Sequence, residues 1–590
     1  MKLYPIFLFL IAFIIGLLGI SLNPHLALAE EPFYVATDGS DSSGDGSDGN
    51  PWATIGYAIQ HIPDNSSILV KPGTYSGEIR LDEAFDQGIT IQSQVPYQAR
   101  LRHDKTVITI FRGKGITIEG FDIAHSGPGA GAMVIQIQDL IEPSGGDDQV
   151  SRITLRNNVI HDSYNNDLLK INNGAAFVTV ENNVFYNQTG RDEHIDINSV
   201  SDVIVQDNIF FNDFEGSGRT NNNDTASFIV IKDSNEDDDT YLGAERITLR
   251  RNVFLNWQGQ KSSFFIVTGE DGKSYYEAKD VMIENNLMIG NSHNVVRAVL
   301  GVKGCRDITF RNNTIVGDLP SVAYAMRLNR QGDNLPNANI QFYNNIWSDP
   351  TGTMGAESAD RENDFSDTSP EETESFTLYN NLYWNGGNEI PLSEGELINY
   401  TDDNRRLIAD PLLERYEGVV LPRWNPATGL FMGGTTTIRE SFELLVKLYG
   451  VPYFDSTVLD AATPDQSPVD GLLGQTRNGL PDIGAVEILP VMALTGRAGD
   501  ESASLAWYLN TPLPEETTWH ITYTNPNGET LSPISVLAND GQSYTITGLT
   551  NHEPYAIVVQ AMLDGNPILT SNPITIIPTD HLVYLPTIIR

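Results

Sequence analysis

A short phrase recurs through the middle third of the chain, and its spacing limits the fold more than any other feature. It reads ITLRNNVIHD from Ile153, VTVENNVFYN from Val178, VIVQDNIFFN from Val203 and ITLRRNVFLN from Ile247. Four more copies follow: VMIENNLMIG from Val281, ITFRNNTIVG from Ile308, IQFYNNIWSD from Ile340 and FTLYNNLYWN from Phe376. Each copy is an alternating apolar strand, a polar turn and a second short apolar strand. The second turn residue is always Asn: Asn158, Asn183, Asn208, Asn252, Asn286, Asn313, Asn345 and Asn381. The intervals are 25, 25, 44, 34, 27, 32 and 36 residues, a minimal unit with loops added. Units of this size stack, because none buries its apolar face alone.

Alternation at period two places Ile153 and Leu155 on one face and Thr154 on the other. The unit is too short for a propeller blade and lacks the helical half of a leucine-rich repeat. Coiled strands stacked along an axis, an all-β parallel β-helix, fit both facts. An Asn at the same corner of every coil tolerates the left-handed backbone region. Its amide can also bond to the amides of the coils above and below. An ordinary sandwich with polar turns leaves the fixed offset unexplained.

The 590 residues, 40% hydrophobic and 19% charged, allow a large core and two or three domains. Lys2, an apolar run from Ile6 to Leu22 and Ala27-Leu28-Ala29 read as a secretory signal over 1–29. A retained membrane anchor is the alternative. The mature protein is therefore expected to be secreted or at the cell surface, and monomeric. The single Cys305 can form no internal disulfide and is expected to be a buried small residue. The net charge is −41, and loss of Lys2 with the signal makes it −42. Such a field repels nucleic acid and anionic membranes, leaving membrane contact only through a retained N-terminal segment. It also opposes capture of a polyanion unless a basic groove or bound cations reverse the sign.

From Phe33 a strand enters a Gly/Asp/Ser loop, and 51–62 carries apolar residues at helical spacing, as a cap over the open end of a coil stack requires. Asp38, Asp41, Asp45 and Asp48 suit either a calcium ion or a solvated flexible loop. The stretch from Ser348 to Glu374 is acidic and poor in apolar residues, and reads as a mobile loop. Residues 386–478 lose the repeat and are expected to pack over the C-terminal end of the stack. Beyond Leu489, short strands at Ser502–Tyr508, His520–Tyr523, Tyr544–Ile546 and Tyr555–Gln560 have sandwich spacing. The organisation is thus a signal at 1–29, a coil stack over 30–488, a sandwich over 489–578 and a tail over 579–590.

YVATDGSD, NPWATIGYAI and ILVKPGTY, between Tyr34 and Tyr75, resemble the N-terminal signature of secreted right-handed β-helix proteins of the pectate-lyase-like superfamily. ADPLL at Ala409 and GLPDIGAVE from Gly479 resemble the closing segment of its bacterial members. The resemblance covers about residues 33–488 and implies a right-handed parallel β-helix with an N-terminal capping helix. It leaves activity open, because the superfamily holds lyases, hydrolases, epimerases and structural or adhesive proteins. Trp507, Gly548-Leu549-Thr550 and Tyr555 resemble landmarks of a fibronectin type III domain.

A polymer can lie along the flat outward strip of such a rod. The strands before each repeated phrase, with Ile137, Ile171, Ile197 and Ile231 inward, stack Gln136, Lys170, Asp196 and Val230 outward. Gln138, Asn172, Asn198 and Lys232 stack beside them, with His194 one pleat before Asp196. Lys170, His194, Asp196 and Lys232 form a candidate catalytic cluster. Gln136, Asn172, Asn198, Arg191 and Arg327 are candidate substrate contacts. Asp167, Asp192 and Glu193 can offer oxygens to Ca²⁺. This set suits β-elimination from a uronate polymer, which needs a base for the proton α to the carboxylate and a cation to neutralise that carboxylate. Lys170 is the candidate base. The chondroitinase B and alginate lyase family has two Glu shortly before its Lys, where this chain has Asn165-Asn166-Asp167, so that family's metal site does not carry over intact. Close-set Asp pairs suited to inverting hydrolysis are not evident. Two readings follow: an exported lyase-like enzyme acting on an extracellular acidic polysaccharide, or a non-catalytic surface or matrix protein that binds glycan.

Overall fold

The repeated strands pair in parallel, each with the same strand of the next coil. Ile153 lies beside Val178, Val178 beside Val203, and Val203 beside Ile247. The structure, a computed structural model, describes residues 31–580 except 140–148, 221–223, 234–242, 356–363, 414–417, 489–491, 510–512, 514–515, 538–540 and positions 454, 478, 532 and 564. The expected signal at 1–29 and the tail beyond 580 lie outside the described residues. Three all-parallel sheets result. Sheet 1 has 12 strands, from Phe33–Val35 to Phe376–Tyr379. Sheet 2 has 10, from Ile79–Arg80 to Asp364–Asp367, and sheet 3 has 12, from Gly73–Ser76 to Leu407–Ile408. One coil runs Ser151–Arg156 in sheet 1, Val159–His161 in sheet 3, Leu169–Asn172 in sheet 2 and returns to sheet 1 at Ala176–Glu181. Crossovers between parallel strands wind right-handed, and the fold is the expected right-handed parallel β-helix.

The asparagines form one continuous ladder. Asn158 Nδ2 donates to Asn183 Oδ1 at 3.1 Å and to the Ile118 carbonyl at 2.9 Å. The Asn158 backbone N–H donates to the same Asn183 oxygen at 2.8 Å. The side-chain link repeats through Asn208, Asn252, Asn286, Asn313 and Asn345 to Asn381. There the Asp403 carboxylate ends the ladder, accepting from the Asn380 and Asn381 backbone N–H groups and from Asn381 Nδ2. Every ladder amide is buried, so unmet bonds here would be costly. The left-handed backbone expected at these residues belongs instead to the residue before each. Asn157, Asn182, Asp207, Arg251, Asn285, Asn312, Asn344 and Asn380 have φ between 48° and 62°. The first turn residue absorbs the bend, and the second reaches its neighbours above and below. That division explains why Arg251 is accepted at the first position while Asn is invariant at the second.

Inside the coil, side chains stack on their own kind. The rings of Phe185, Phe210 and Phe254 lie 5.1 Å and 4.9 Å apart, near parallel. Cys305 is buried, and burial pushes its thiol up to about 12. The N-terminal end is covered by α1 (Ile55–Ile59), whose Ile55, Ala58 and Ile59 join the coil core. This helix is shorter than the spacing over 51–62 suggested, because Thr54 caps its start and Gln60 its end. In the acidic loop before it, Asp41 accepts from Ala53 N, Thr54 N and the Thr54 hydroxyl. Asp45 accepts from Ser47 N, and Asp48 pairs with Lys71 at 2.7 Å. Those three carboxylates thus fasten the loop to the chain.

Two expectations change. The region from Ser348 to Glu374 is not all loop: Asp364–Asp367 forms the last strand of sheet 2 against Ala323–Asn329. Phe365 anchors it, edge-on to Trp347 at 6.1 Å and Tyr383 at 5.4 Å. One inward residue suffices for a short strand, so low apolar content did not reveal it. The residues after the last repeat divide: Ile390 and Ile398 join the coil core at the end of the stack, as expected, and the later ones return along the outward face of sheet 3. The helix α2 (Ile438–Tyr449), opened by a Thr437–Glu440 capping box, buries Ile438, Phe442, Leu445 and Val446. These share one core with Val184, Ile209, Val253, Leu287 and Ile346 from the outward side of sheet 3. Trp424 reaches as far back as Tyr97, 4.8 Å between rings. Gly484, at φ 94°, donates to Asn344 O at 2.8 Å, and a Cβ there would meet Ile346 at 2.5 Å.

Two antiparallel sheets follow, built from strands between Met492–Gly499 and Ile574–Ile576. They pack as a sandwich around Trp507 and Trp519, whose rings are 5.6 Å apart. The Tyr555 hydroxyl accepts from Thr550 N at 3.1 Å.

The ladder makes a contrast testable by chemical denaturation. Asn252→Ala removes an amide that donates to Val205 O and Asn286 and accepts twice from Asn208, and should cost on the order of 3 kcal/mol. Asn182→Gly, at φ 53°, should change stability by less than about 1 kcal/mol. Equal losses would mean that the ladder contributes nothing beyond turn geometry.

Candidate functional site

Sheet 2 keeps the register that the inward isoleucines dictate. Gln136 lies beside Lys170, Lys170 beside Asp196, and Asp196 beside Val230. Gln138, Asn172, Asn198 and Lys232 form the next column. Neighbouring strands are about 4.8 Å apart, so side chains on consecutive coils touch. Lys170 Nζ donates to Asp196 Oδ2 at 2.6 Å, and Lys232 Nζ to Glu270 Oε2 at 2.7 Å. Gln136 Nε2 donates to Gln138 Oε1 at 2.6 Å.

Beside this strip lies a buried acidic group. Ligand oxygens of Asp167, Glu193 and Asp196 can all fall within 4.8 Å of one another, and all three residues are buried. Asp167 Oδ1 accepts from Glu193 N at 2.9 Å, which fixes the corner where the strand begins. Asp196 Oδ1 is buried with no hydrogen-bond partner. Burial, and next the Asp196 charge, push the Asp167 carboxyl up to about 8. Burial and Asp167 raise Glu193 well above the usual range. Asp192, half-buried at the edge of the group, rises to about 6, mainly through burial. Hard carboxylate oxygens crowded at mutual cost are the donor set of a Ca²⁺ or Mg²⁺ ion. The orphaned Asp196 oxygen fits such an ion. The three carboxylates would supply part of its shell, with backbone or water the rest.

Several expected site residues stand differently. His194 is fully buried, not outward. It sits before Ile195–Asn198, where alternation has not begun, and its ring packs edge-on to Phe228 at 4.9 Å. Nε2 faces Asn212 Oδ1 at 3.1 Å, and burial drops the imidazole to about 3. Lys170 is no free base either. Burial works against its charge, but Asp196 and Asp167 outweigh it and hold it as ammonium. For Lys232, Asp196 and Glu270 likewise outweigh burial. In the metal set, Asp196 replaces Asp192 as the third close carboxylate. Arg191 is exposed, at φ 70°, in the loop entering the strand. Asn172 and Asn198 are buried, and Asn172 Oδ1 has no partner. Arg327 shares the Lys170 column but lies four coils from Asp196, roughly 19 Å away. There it pairs with Asp367 at 2.7 Å.

Glu270 and Asp271 complete the group and were not expected. Asp271 rises to about 6, chiefly through burial. They follow Phe264–Thr268, a strand absent from the aligned set. Setting FFIVTGED beside FIVIKD would have placed them next to Lys232. Glu277 supports the loop, accepting from the backbone N–H groups of Glu270, Asp271, Gly272 and Lys273.

A second charged cluster stands at the edge of sheet 3. His161 Nε2 meets Asp122 Oδ1 and its Nδ1 meets Asp162 Oδ2, both at 2.8 Å. Arg102 binds Asp122 at 2.6 Å, and Arg219 binds Asp162 at 2.8 Å. The imidazole stacks on Tyr186 at 4.8 Å. Both ring nitrogens are engaged, so His161 holds a proton rather than moving one. Arg219 also donates to the Asn187 and Ser163 carbonyls and stacks on Tyr164 at 4.0 Å. This fastens the loop that carries it to the sheet 3 side rather than across Lys170.

No protein-family model matches the chain, and no curated protein matches it. Among solved structures it is similar to a crystal structure of PfbA, a surface adhesin of Streptococcus pneumoniae. The TM-score is 0.35 at 12% identity, over 49% of this chain and 84% of that one.

The His161 cluster predicts a pH window. Burial opposes its charge, but Asp162 and Asp122 win and raise it above 6.5, so its contribution is full below 6.5 and fades as pH rises through the raised value. Burial also opposes ionisation of Asp122 and Asp162, but the His161 charge wins and lowers both below 3.8, so theirs is full above 3.8 and fades as pH falls. The stability gap between wild type and His161→Gln should therefore be widest between pH 3.8 and 6.5 and narrow on the alkaline side. Denaturation midpoints across pH check this. A gap that grows toward alkaline pH would contradict the ion-pair account.

Proposed function

We propose that this protein is an extracellular glycan-binding β-helix that holds an acidic polysaccharide along the outward face of sheet 2, with a divalent cation at Asp167, Glu193 and Asp196. The observation that carries the reading is that buried trio, with an orphaned Asp196 oxygen, beside the Lys170–Lys232 strip. The chain's strong negative charge works against a polyanion and makes the cation necessary to this reading. A polyanion approaches such a surface only where bound cations and lysines offset its field. Gln136 and Gln138 line the strip with amides suited to sugar hydroxyls. Sheet 3 is covered by the returning chain. On sheet 1, outward charges pair across coils, as Arg156 does with Glu119 at 2.7 Å and Arg311 with Glu284 at 2.7 Å. The sandwich then serves as a spacer that presents the rod.

Cleavage by β-elimination is the second reading. It is favoured by Lys170, whose side chain is about one-fifth exposed beside the trio. Bound there, a cation would neutralise the uronate carboxylate. Lys170 would first lose its ammonium proton to solvent; its amine would then take the α-proton, the C4–C5 double bond would form as the glycosidic C4–O bond breaks, and water would protonate the leaving oxygen.

Calorimetry and polymer retention test the first reading. Ca²⁺ should bind, and Asp196→Asn should weaken it at least about tenfold. Alginate or pectate retention should fall in chelator and in the variant. Retention indifferent to both would end this reading. Appearance of the conjugated double bond in the product, lost in Lys170→Ala while retention persists, would select the second.

A further inference from the structure

A cleft of about 490 Å³ lies away from sheet 2, where the returning hairpin of Trp424–Asn425 and Leu430–Phe431 meets the first coils. Tyr97, Gln98 and Arg100 form one wall, and Trp424 with the turn 426–429 forms the other. The aromatic side is pinned. Tyr97 has φ 61°, a costly conformation for an aromatic residue. Its ring stands edge-on to Trp424 at 4.8 Å and to Phe431 at 5.5 Å. A cleft wall held by two ring contacts is pre-formed, as small-molecule sites are.

Arg100 gives the cleft its sign. It is exposed and has no ion pair, hydrogen bond or ring partner among the described residues. In register it stands beside Asp122, but that carboxylate is taken by Arg102 and His161. A guanidinium left without a carboxylate is notable in a chain with 77 acidic and 36 basic residues. The Gln98 amide beside it is exposed too.

We infer that this cleft binds one carboxylated sugar residue, a uronate. The Arg100 fork takes the carboxylate in bidentate fashion, and Gln98 meets ring hydroxyls. Tyr97 and Trp424 shield one side from water. The choice of a uronate rests on the acidic-glycan reading, whereas the cleft and its cation do not.

Calorimetry on the full chain tests this with glucuronate and galacturonate, with glucose as neutral control and acetate as bare carboxylate. The uronates should bind, glucose should not, and acetate should bind more weakly. Arg100→Ala should lose at least about tenfold in uronate affinity. Arg100→Lys, which keeps the charge without the fork, should fall between and serves if the alanine variant unfolds. In chelator, which empties the proposed sheet 2 cation site, uronates should still bind with the same dependence on Arg100. Failure of every uronate to bind, unchanged affinity in the Arg100 variants, or acetate binding as tight as uronate would overturn the inference. Loss of polymer retention on sheet 2 with uronate binding intact would sink only the earlier reading.

Discussion

The asparagine ladder is the constraint on which the rest of the rod depends. A parallel coil has no hairpin to set its register. Here each Asn accepts from the backbone N–H and the amide of the preceding coil's Asn, as Asn183 does from Asn158. A one-residue slip would leave buried amide groups unmet at every coil and turn apolar side chains outward. The ladder therefore fixes which residues on successive coils face each other. Asp403 closes it with a carboxylate that accepts from three donors of the last Asn pair.

Fixed register turns sequence into surface chemistry. The three faces meet three fates. From Val184 to Ile346 sheet 3 is apolar outside as well as inside and is covered by α2 and the returning chain. Sheet 1 carries charges that neutralise one another across coils. Among the described residues, only sheet 2 gathers buried carboxylates whose oxygens crowd together, with two lysines beside them. The lysines are held as ammonium, and burial silences His194. Those facts suit the proposed holding of an anionic polymer better than its cleavage. The Arg100 cleft arises from the covering of sheet 3, since its far wall is the returning hairpin.

Much of the rod was legible because strand alternation is strict and the Asn keeps a fixed offset from the strand before it. The columns of Gln136, Lys170, Asp196 and Val230 follow from one shared inward isoleucine position. What failed to show has physical causes. His194 precedes its strand, so counting by two from Asp196 passed beyond the alternating backbone. Glu270 and Asp271 were missed because their coil carries Phe264–Thr268 in place of the polar pattern used for alignment. The return of the chain over sheet 3 was written in phrases such as Val159-Ile160, apolar on both faces. That is the mark of a strand buried on both sides. Asp364–Asp367 shows the converse, a strand held by one aromatic residue within an acidic stretch.

The central claim is that register brings Asp167, Glu193 and Asp196 from two coils into one cation site beside Lys170. The most direct test is an experimental crystal structure grown with a lanthanide ion, located by its anomalous scattering. The account predicts a peak within coordination distance of all three carboxylates. Ordered, empty carboxylates with the lanthanide elsewhere, or a coil register that separates Lys170 from Asp196, would contradict it.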